Sequence, residues 1–220
     1  MPADSTDRLA IIDLGTNTFH LLILDPSEGA RFTPLERYKQ PVKLGEGGIE
    51  NAHIAPAAFE RGLDALRKFR QILEAHRIES PLAFATSAIR EADNGLEFVR
   101  AAREETGIEV RTINGYEEAA LIYEGVRTGI QLPLQHNVLL CDIGGGSVEF
   151  IVGDRHLPKL LESENIGAAR LLEEIGLPDP LTNDQRERVE RRLDAALSEL
   201  FPRLKRFNLA TLVGSSGTFE

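Results

Sequence analysis

The chain has 220 residues, of which 42% are hydrophobic and 27% charged, and its formal net charge is −10. This composition is typical of a soluble globular protein, and the acidic balance argues against a general nucleic-acid-binding surface. No apolar run approaches the roughly 20 residues of a membrane-spanning helix. Because the sequence has no signal-peptide core and only one cysteine, it predicts a cytoplasmic protein without disulfides.

The first pattern along the chain predicts a β-hairpin followed by a third strand. Apolar, β-prone residues at 9–14 and 18–24 flank a short polar turn, and residues 31–40 continue as a strand. The glycine-rich segment 41–49 follows and carries Lys43. A flexible connection and a functional loop are equally compatible with this segment.

A helix and a strand come next, and polar residues follow the strand. Apolar residues recur at three- and four-residue steps over 56–76, which predicts an amphipathic helix. Residues 81–85 form a short buried strand, and residues 86–90 lead out of it with two hydroxyls and Arg90. Ligands of α/β sheets collect at the carboxyl ends of strands, so Arg90 is either a phosphate ligand or a surface arginine at a helix start.

The chain continues with a helix over 96–105, a strand over 108–113 and a helix that begins near Asn114. Glu117 and Glu118 stand in the first turn of this last helix. Two carboxylates there either cap the helix or supply a general base. The connection after residue 128, which contains a proline, predicts a domain boundary.

A second strand-turn-strand pattern is the most informative stretch of the sequence. Asp142 ends an apolar run, and three consecutive glycines separate it from a second run that contains Glu149. Glycines let the backbone N–H groups surround an anion, and a carboxylate at the root of the turn can hold a cation beside it. The pattern therefore predicts a phosphate-binding turn with a metal carboxylate.

The two hairpins repeat one design. Asp13, Gly15 and Thr18 match the acidic residue, the first glycine and the serine of the second hairpin in sequential alignment. Two such hairpins, one near the start of each half, predict two related domains that face one cleft. Chance similarity between short motifs is the alternative.

The C-terminal part contains a strand over 158–163, a short helix that begins within 165–170, a charged helix over 183–200 and a strand over 209–213. The last strand leads into a turn of small residues at 214–218. Because a domain does not ordinarily end at such a turn, we expect further helices beyond it.

Together these stretches resemble the exopolyphosphatase/guanosine pentaphosphate phosphohydrolase (Ppx/GppA) family. The resemblance is carried, in family order, by DLGTNTFH at 13–20, TSAIR at 86–90, GYEEA at 115–119, DIGGGSVE at 142–149 and GSSGT at 214–218. It implies an α/β fold of two ribonuclease-H-like (actin-like ATPase) domains, with mixed sheets flanked by helices and a cleft between them. The expected domains are 1–128 and 129–220, the second incomplete at its C-terminus.

The resemblance also implies a function: release of terminal orthophosphate from inorganic polyphosphate or from guanosine pentaphosphate, a nucleotide of the stringent response. It makes Glu118 the base that activates water, and Asp142, Glu149 and Asp13 the ligands of Mg²⁺, with Mn²⁺ as an alternative. The implied phosphate-binding residues are Thr16, Asn17, Thr18, Arg90, Gly144, Gly145, Gly146, Ser147, Gly214, Ser215, Ser216, Gly217 and Thr218. No P-loop sequence is present, which excludes that class of phosphate-binding enzyme.

Two other functions stay open on the sequence: a non-catalytic sensor of guanosine tetra- or pentaphosphate, and an ATP-using phosphotransferase of the same superfamily. The expected partner is polyphosphate or guanosine pentaphosphate as substrate, with neither nucleic acid nor membrane, and a homodimer is left open. A long polyanion requires a basic track, part of which could come from Arg31, Arg37, Lys39 and Lys43.

Overall fold

The computed structural model describes residues 8–27, 31–134, 136–176, 180–217 and 219. The chain divides into two compact units, Met1–Ile113 and Asn114–Glu220. Each unit contains one mixed β-sheet. Within the described ranges, no helix combines the length and apolar character that crossing a membrane requires.

The elements of the first unit are β1 (Leu9–Leu14), β2 (Thr18–Ser27), β3 (Arg31–Pro41), α1 (Pro56–Ala75), β4 (Leu82–Ala85), α2 (Ser87–Glu91), α3 (Gly95–Thr106) and β5 (Val110–Thr112). Its sheet has five strands in the order β3-β2-β1-β4-β5. Strands β1, β2 and β3 are antiparallel, whereas β4 pairs parallel with β1, and β5 pairs parallel with β4.

One face of this sheet forms the core of the first unit. Ala10, Ile12 and Leu14 alternate along β1 and are fully buried, because successive residues of a strand point to opposite faces. The apolar stripe of α1 packs into the same cluster. Phe98 of α3 completes the cluster and packs edge-on against Phe19.

The elements of the second unit are α4 (Gly115–Gly129), β6 (Asn137–Ile143), β7 (Val148–Gly153), β8 (Pro158–Glu164), α5 (Ala168–Ile175), α6 (Asn183–Leu197), α7 (Leu200–Leu204) and β9 (Leu209–Ser215). Its sheet repeats the arrangement of the first with four strands in the order β8-β7-β6-β9. Strands β6, β7 and β8 are antiparallel and β9 pairs parallel with β6, so β6 to β9 correspond to β1 to β4.

Helices cover both faces of the second sheet. Ile151 and Val152 are neighbours on β7 and point to opposite faces. Ile151 packs with Tyr123 of α4, while Val152 packs with Leu200 and Leu204 of α7. Two mixed sheets flanked by helices confirm the predicted fold class.

The compact units divide earlier than the boundary expected after residue 128. Helix α4 belongs to the second unit because Ala119 and Tyr123 are fully buried against the second sheet. The Tyr123 hydroxyl also donates a hydrogen bond to the Asp154 carbonyl at 2.6 Å. The predicted helix over 183–200 is divided as well, since α6 ends at Leu197 and α7 begins at Leu200.

Candidate active site

The glycine turn of the second unit is held from behind by the start of α5. The N–H of Gly144 donates to the Ser147 carbonyl at 3.1 Å and closes the turn. Ala168 and Ala169 donate their N–H groups to the carbonyls of Gly144 and Gly145, at 3.0 and 2.9 Å. The carbonyls of Gly144 and Gly145 thus accept hydrogen bonds from the first residues of α5. Among the described residues, no acceptor is found for the N–H groups of Gly145 and Gly146, which suits them to an anion.

Two residues of the α5 region support this turn, although the sequence predicted only a helix start there. A Cβ on Gly167 would lie 2.5 Å from the carbonyl carbon and oxygen of Gly145, so the two backbones are in direct contact. The buried Arg170 donates its Nε–H to the Gly146 carbonyl at 3.0 Å. The available sequence signal was glycine at the N-cap of α5, a position where serine, threonine, asparagine and aspartate lead.

Asp142 and Glu149 lie directly opposite each other on β6 and β7. Glu149 is only 2% exposed. Its burial, followed by the charge of Glu118, raises its pKa to about 7, although hydrogen bonds from Ser163 and Ser147 oppose the shift. Burial also raises the pKa of Asp142. The pair is therefore a site where negative charge is costly unless a cation neutralises it.

Ser163 connects Glu149 to the helix that carries Glu118. Its hydroxyl donates to Glu149 Oε1 at 2.7 Å, and a Cβ on Gly115 would lie 2.5 Å from Ser163 Cβ. Helix α4 thus begins against Ser163 and places Glu118 near enough to raise the pKa of Glu149. Sequence reasoning missed Ser163, since its role depends on the pairing of β7 with β8.

The N-terminus of α4 is capped by Asn114, whose Oδ1 accepts the N–H of Glu117 at 2.8 Å. This observation bears on the two roles that the sequence left open for Glu117 and Glu118. The cap is provided by an amide side chain, so capping does not require either carboxylate.

The segment of small residues at 214–217 lies beside Asp142, the partner of Glu149 on the neighbouring strand. Strand β9 pairs with β6 so that Ser215 is opposite Asp142. The hydroxyls of Ser215 and Ser216 hydrogen-bond to Asp142 and oppose the rise of its pKa. Gly214 and Gly217 flank these serines, whereas Thr218 lies outside the described residues.

In the first unit, the turn between β1 and β2 is held by the segment that follows β3. The Asn17 carbonyl accepts the N–H groups of Val42 and Lys43 at 2.9 and 2.8 Å, and the Thr16 carbonyl accepts that of Leu44 at 2.7 Å. Thr16 is buried, and Thr18 begins β2. Asp13, at the end of β1, is exposed and lies opposite His20.

Arg90 follows the carboxyl end of strand β4, where the sequence placed it. Its helix α2 follows β4 directly, and the N–H of Thr86 donates to the Leu14 carbonyl of β1 at 3.4 Å. The Arg90 guanidinium donates to Glu91 Oε1 at 2.9 Å and to the Ile113 carbonyl at 3.3 Å. Helix α2 therefore begins beside the turn at 15–18, and Arg90 is engaged by neighbouring residues.

Asp142 and Glu149 are the candidate ligands for Mg²⁺ in the second unit. In the described part of the chain, no three or more His, Cys, Asp or Glu side chains form a metal-binding group. Asp142 and Glu149 nevertheless suit Mg²⁺, which commonly takes one or two carboxylates, water and phosphate oxygens. Asp13 belongs to the other unit, and its role as a ligand stays a prediction.

The raised pKa of Glu149 predicts that stability depends on pH. The folded state holds this proton up to about pH 7, whereas the ordinary pKa of a glutamate is 4.5. The free energy of unfolding should therefore fall as the pH rises from 4.5 to 7. With EDTA present, we expect Glu149→Gln to remove on the order of 1–3 kcal/mol of that fall.

Urea unfolding at pH 5 and pH 7 measures this difference. Glu104→Gln, at an exposed position on α3, is the matched control and should leave the difference unchanged. An equal fall in the wild-type and Glu149→Gln proteins would contradict the prediction.

Comparison with known proteins places these features in a family context. Residues 22–220 match the model of the Ppx/GppA phosphatase family. The crystal structure of an exopolyphosphatase from Cytophaga hutchinsonii superposes with a TM-score of 0.92 at 38% identity, over 97% of this chain and 68% of that one.

Two curated relatives show similar levels of identity. The bifunctional 3-dehydroquinate synthase/phosphatase of Fusobacterium nucleatum is 35% identical over 218 residues, which are 95% of this chain and 32% of the relative. Exopolyphosphatase 1 of Mycobacterium bovis is 33% identical over 193 residues, which are 87% of this chain and 56% of the relative. The chain thus spans about a third to a half of these two relatives.

Proposed function

Because the chain belongs to the Ppx/GppA phosphatase family, we propose that it acts as a phosphohydrolase that releases terminal orthophosphate from inorganic polyphosphate, guanosine pentaphosphate or both. The observation that carries the proposal is the meeting, within one unit, of three features. These are the glycine turn with its two N–H groups, the Asp142–Glu149 pair and the nearby Glu118.

Each group has a defined task in the reaction. The N–H groups of Gly145 and Gly146 bind oxygens of the terminal phosphate and stabilise the charge that spreads over them. Glu118 accepts a proton from a water molecule, whose oxygen forms a bond to the terminal phosphorus. The bond from that phosphorus to the bridging oxygen breaks, and the shortened phosphate chain leaves with the bonding electrons. Asp142 and Glu149 would hold Mg²⁺, which neutralises phosphate charge.

Phosphate release from long-chain polyphosphate and from guanosine pentaphosphate, measured side by side, tests the proposal and ranks the substrates. Release is expected with Mg²⁺ and not with EDTA. Binding of either compound without release would instead favour the sensor function. Transfer of phosphate from ATP to an acceptor, with formation of ADP and without release of orthophosphate, would favour the phosphotransferase.

Asp142→Asn tests the metal assignment. We expect the Mg²⁺ concentration for half-maximal release to rise at least about tenfold, because a neutral amide binds Mg²⁺ more weakly than a carboxylate. Asp184→Asn, at an exposed position on α6, is the matched control. An unchanged Mg²⁺ requirement in Asp142→Asn would contradict the role of Asp142.

A further inference from the structure

The segment 41–49, for which the sequence left a flexible connection and a functional loop open, is fastened to the turn of the first unit. Val42 and Leu44 are buried at 1% and 0% exposure. Gly45 packs closely, since a Cβ there would lie 3.0 Å from Thr16 Cγ2 and 3.1 Å from Ile49 Cδ1. Contacts of this density are typical of a fixed loop.

Lys43 is the residue of this segment with an unusual backbone. Its φ is +49°, in the left-handed region that residues other than glycine seldom adopt. Its N–H donates to the Asn17 carbonyl at 2.8 Å, and its own carbonyl accepts the N–H of Glu46 at 3.1 Å and Arg61 Nη2 at 3.0 Å. Three hydrogen bonds thus hold Lys43 in this conformation directly beside the candidate phosphate turn, while its side chain is exposed.

Arg61 of α1 also determines which charges surround Lys43. Its Nε donates to the Val42 carbonyl at 2.8 Å, and its Nη2 pairs with Glu46 Oε2 at 2.7 Å. Glu46 follows Lys43 by three residues and is a nearby carboxylate, but it is bound to Arg61. Across the described ranges, the Lys43 ammonium has no carboxylate within ion-pair distance.

We propose that Lys43 binds a phosphate group of the substrate beside the turn at 16–18, and that Arg61 is the positioning residue for Lys43. The inference rests on the proposed function and adds a binding residue to it. The lysine ammonium is a compact charge that suits phosphate oxygens. The planar guanidinium of Arg61 spans two carbonyls and a carboxylate, a set that no lysine side chain matches.

Binding of sodium tripolyphosphate, measured by isothermal titration calorimetry, tests Lys43. The measurement uses Glu118→Gln protein with Mg²⁺, in which turnover is suppressed. Adding Lys43→Gln should raise the Kd about tenfold, as expected for the loss of a charged hydrogen bond. Glutamine is no worse than lysine at the positive φ, so folding should be preserved. The matched control Lys68→Gln, on the exposed side of α1, should change the Kd less than about twofold.

The outcomes separate this proposal from the proposed function. An unchanged Kd for Lys43→Gln, in a protein whose wild-type form releases phosphate, overturns the role of Lys43 alone. If the Glu118→Gln protein does not bind tripolyphosphate and the wild-type protein releases no phosphate, both the role of Lys43 and the proposed function are overturned.

Arg61→Lys tests the positioning role by a double-mutant cycle. Arg61→Lys alone should raise the Kd about threefold or more, because the fork that holds the Lys43 carbonyl is lost. In the Lys43→Gln background, the same change should have little further effect, because the side chain it positions is gone. Equal effects of Arg61→Lys in both backgrounds would mean a general structural role and would overturn the assignment.

Discussion

Replacing Glu118 by glutamine is expected to lower kcat for phosphate release by about 10³-fold, the typical loss when a general base is removed. Glutamine has nearly the same shape but accepts no proton from water. Because Asn114 caps the helix, α4 should form normally in the variant. Substrate binding should therefore persist, and the loss should fall on kcat rather than on KM.

Steady-state kinetics with polyphosphate and guanosine pentaphosphate measure this effect. Glu117→Gln is the matched control, since Glu117 is adjacent on the same helix turn and has the same class of partial exposure. It should retain kcat within about twofold. Comparable losses in the two variants would mean that the helix turn, rather than the Glu118 carboxylate, matters for the reaction.

The Glu118→Gln substitution should also change the stability of the protein, an effect that does not depend on turnover. The charge of Glu118 is the second-largest cause of the raised pKa of Glu149. Without that charge, the pKa of Glu149 should fall towards its ordinary value. With EDTA present, Glu118→Gln should therefore be more stable than the wild type at pH 7, with a smaller difference at pH 5.

Replacing Gly167 by alanine is the second change with a large expected effect. The new Cβ would lie 2.5 Å from the carbonyl atoms of Gly145, which are backbone atoms and cannot rotate away. The turn or α5 must move. We expect kcat/KM to fall about 10²-fold, as for small displacements of groups that position a substrate. The variant should also be about 1–3 kcal/mol less stable.

The backbone at Gly167 makes this a clean test of packing. Its φ of −62° and ψ of 158° suit alanine, so the substitution adds a contact without backbone strain. Gly125→Ala on α4 is the control, because a Cβ there meets nothing within 4 Å. It should keep full activity and gain about 0.5–1 kcal/mol of stability. Normal kcat/KM in Gly167→Ala would contradict the support that α5 gives to the turn.

Local pattern was sufficient for the two hairpins. The sequence predicted the strand Leu9–Leu14 with the bounds that the structure has, because alternation and turn residues are properties of adjacent positions. The same reasoning placed Asp142 at the end of a strand and the three glycines in a turn. The correspondence between the hairpins extended to the topology, in which each antiparallel meander is followed by a parallel strand.

Packing between distant segments decided which residues contact each other, and a local sequence pattern does not contain that information. Ser163 reaches Glu149 because of the register between β7 and β8, and α4 belongs to the second unit because its apolar face found partners on that sheet. Lys43 was visible in the sequence, but its hydrogen bonds with Asn17 and with Arg61 of the following helix were not. The sequence by itself determined which residue types and turns were available. Only the tertiary structure decided which of them meet, because strand register and helix packing are set by contacts between distant segments.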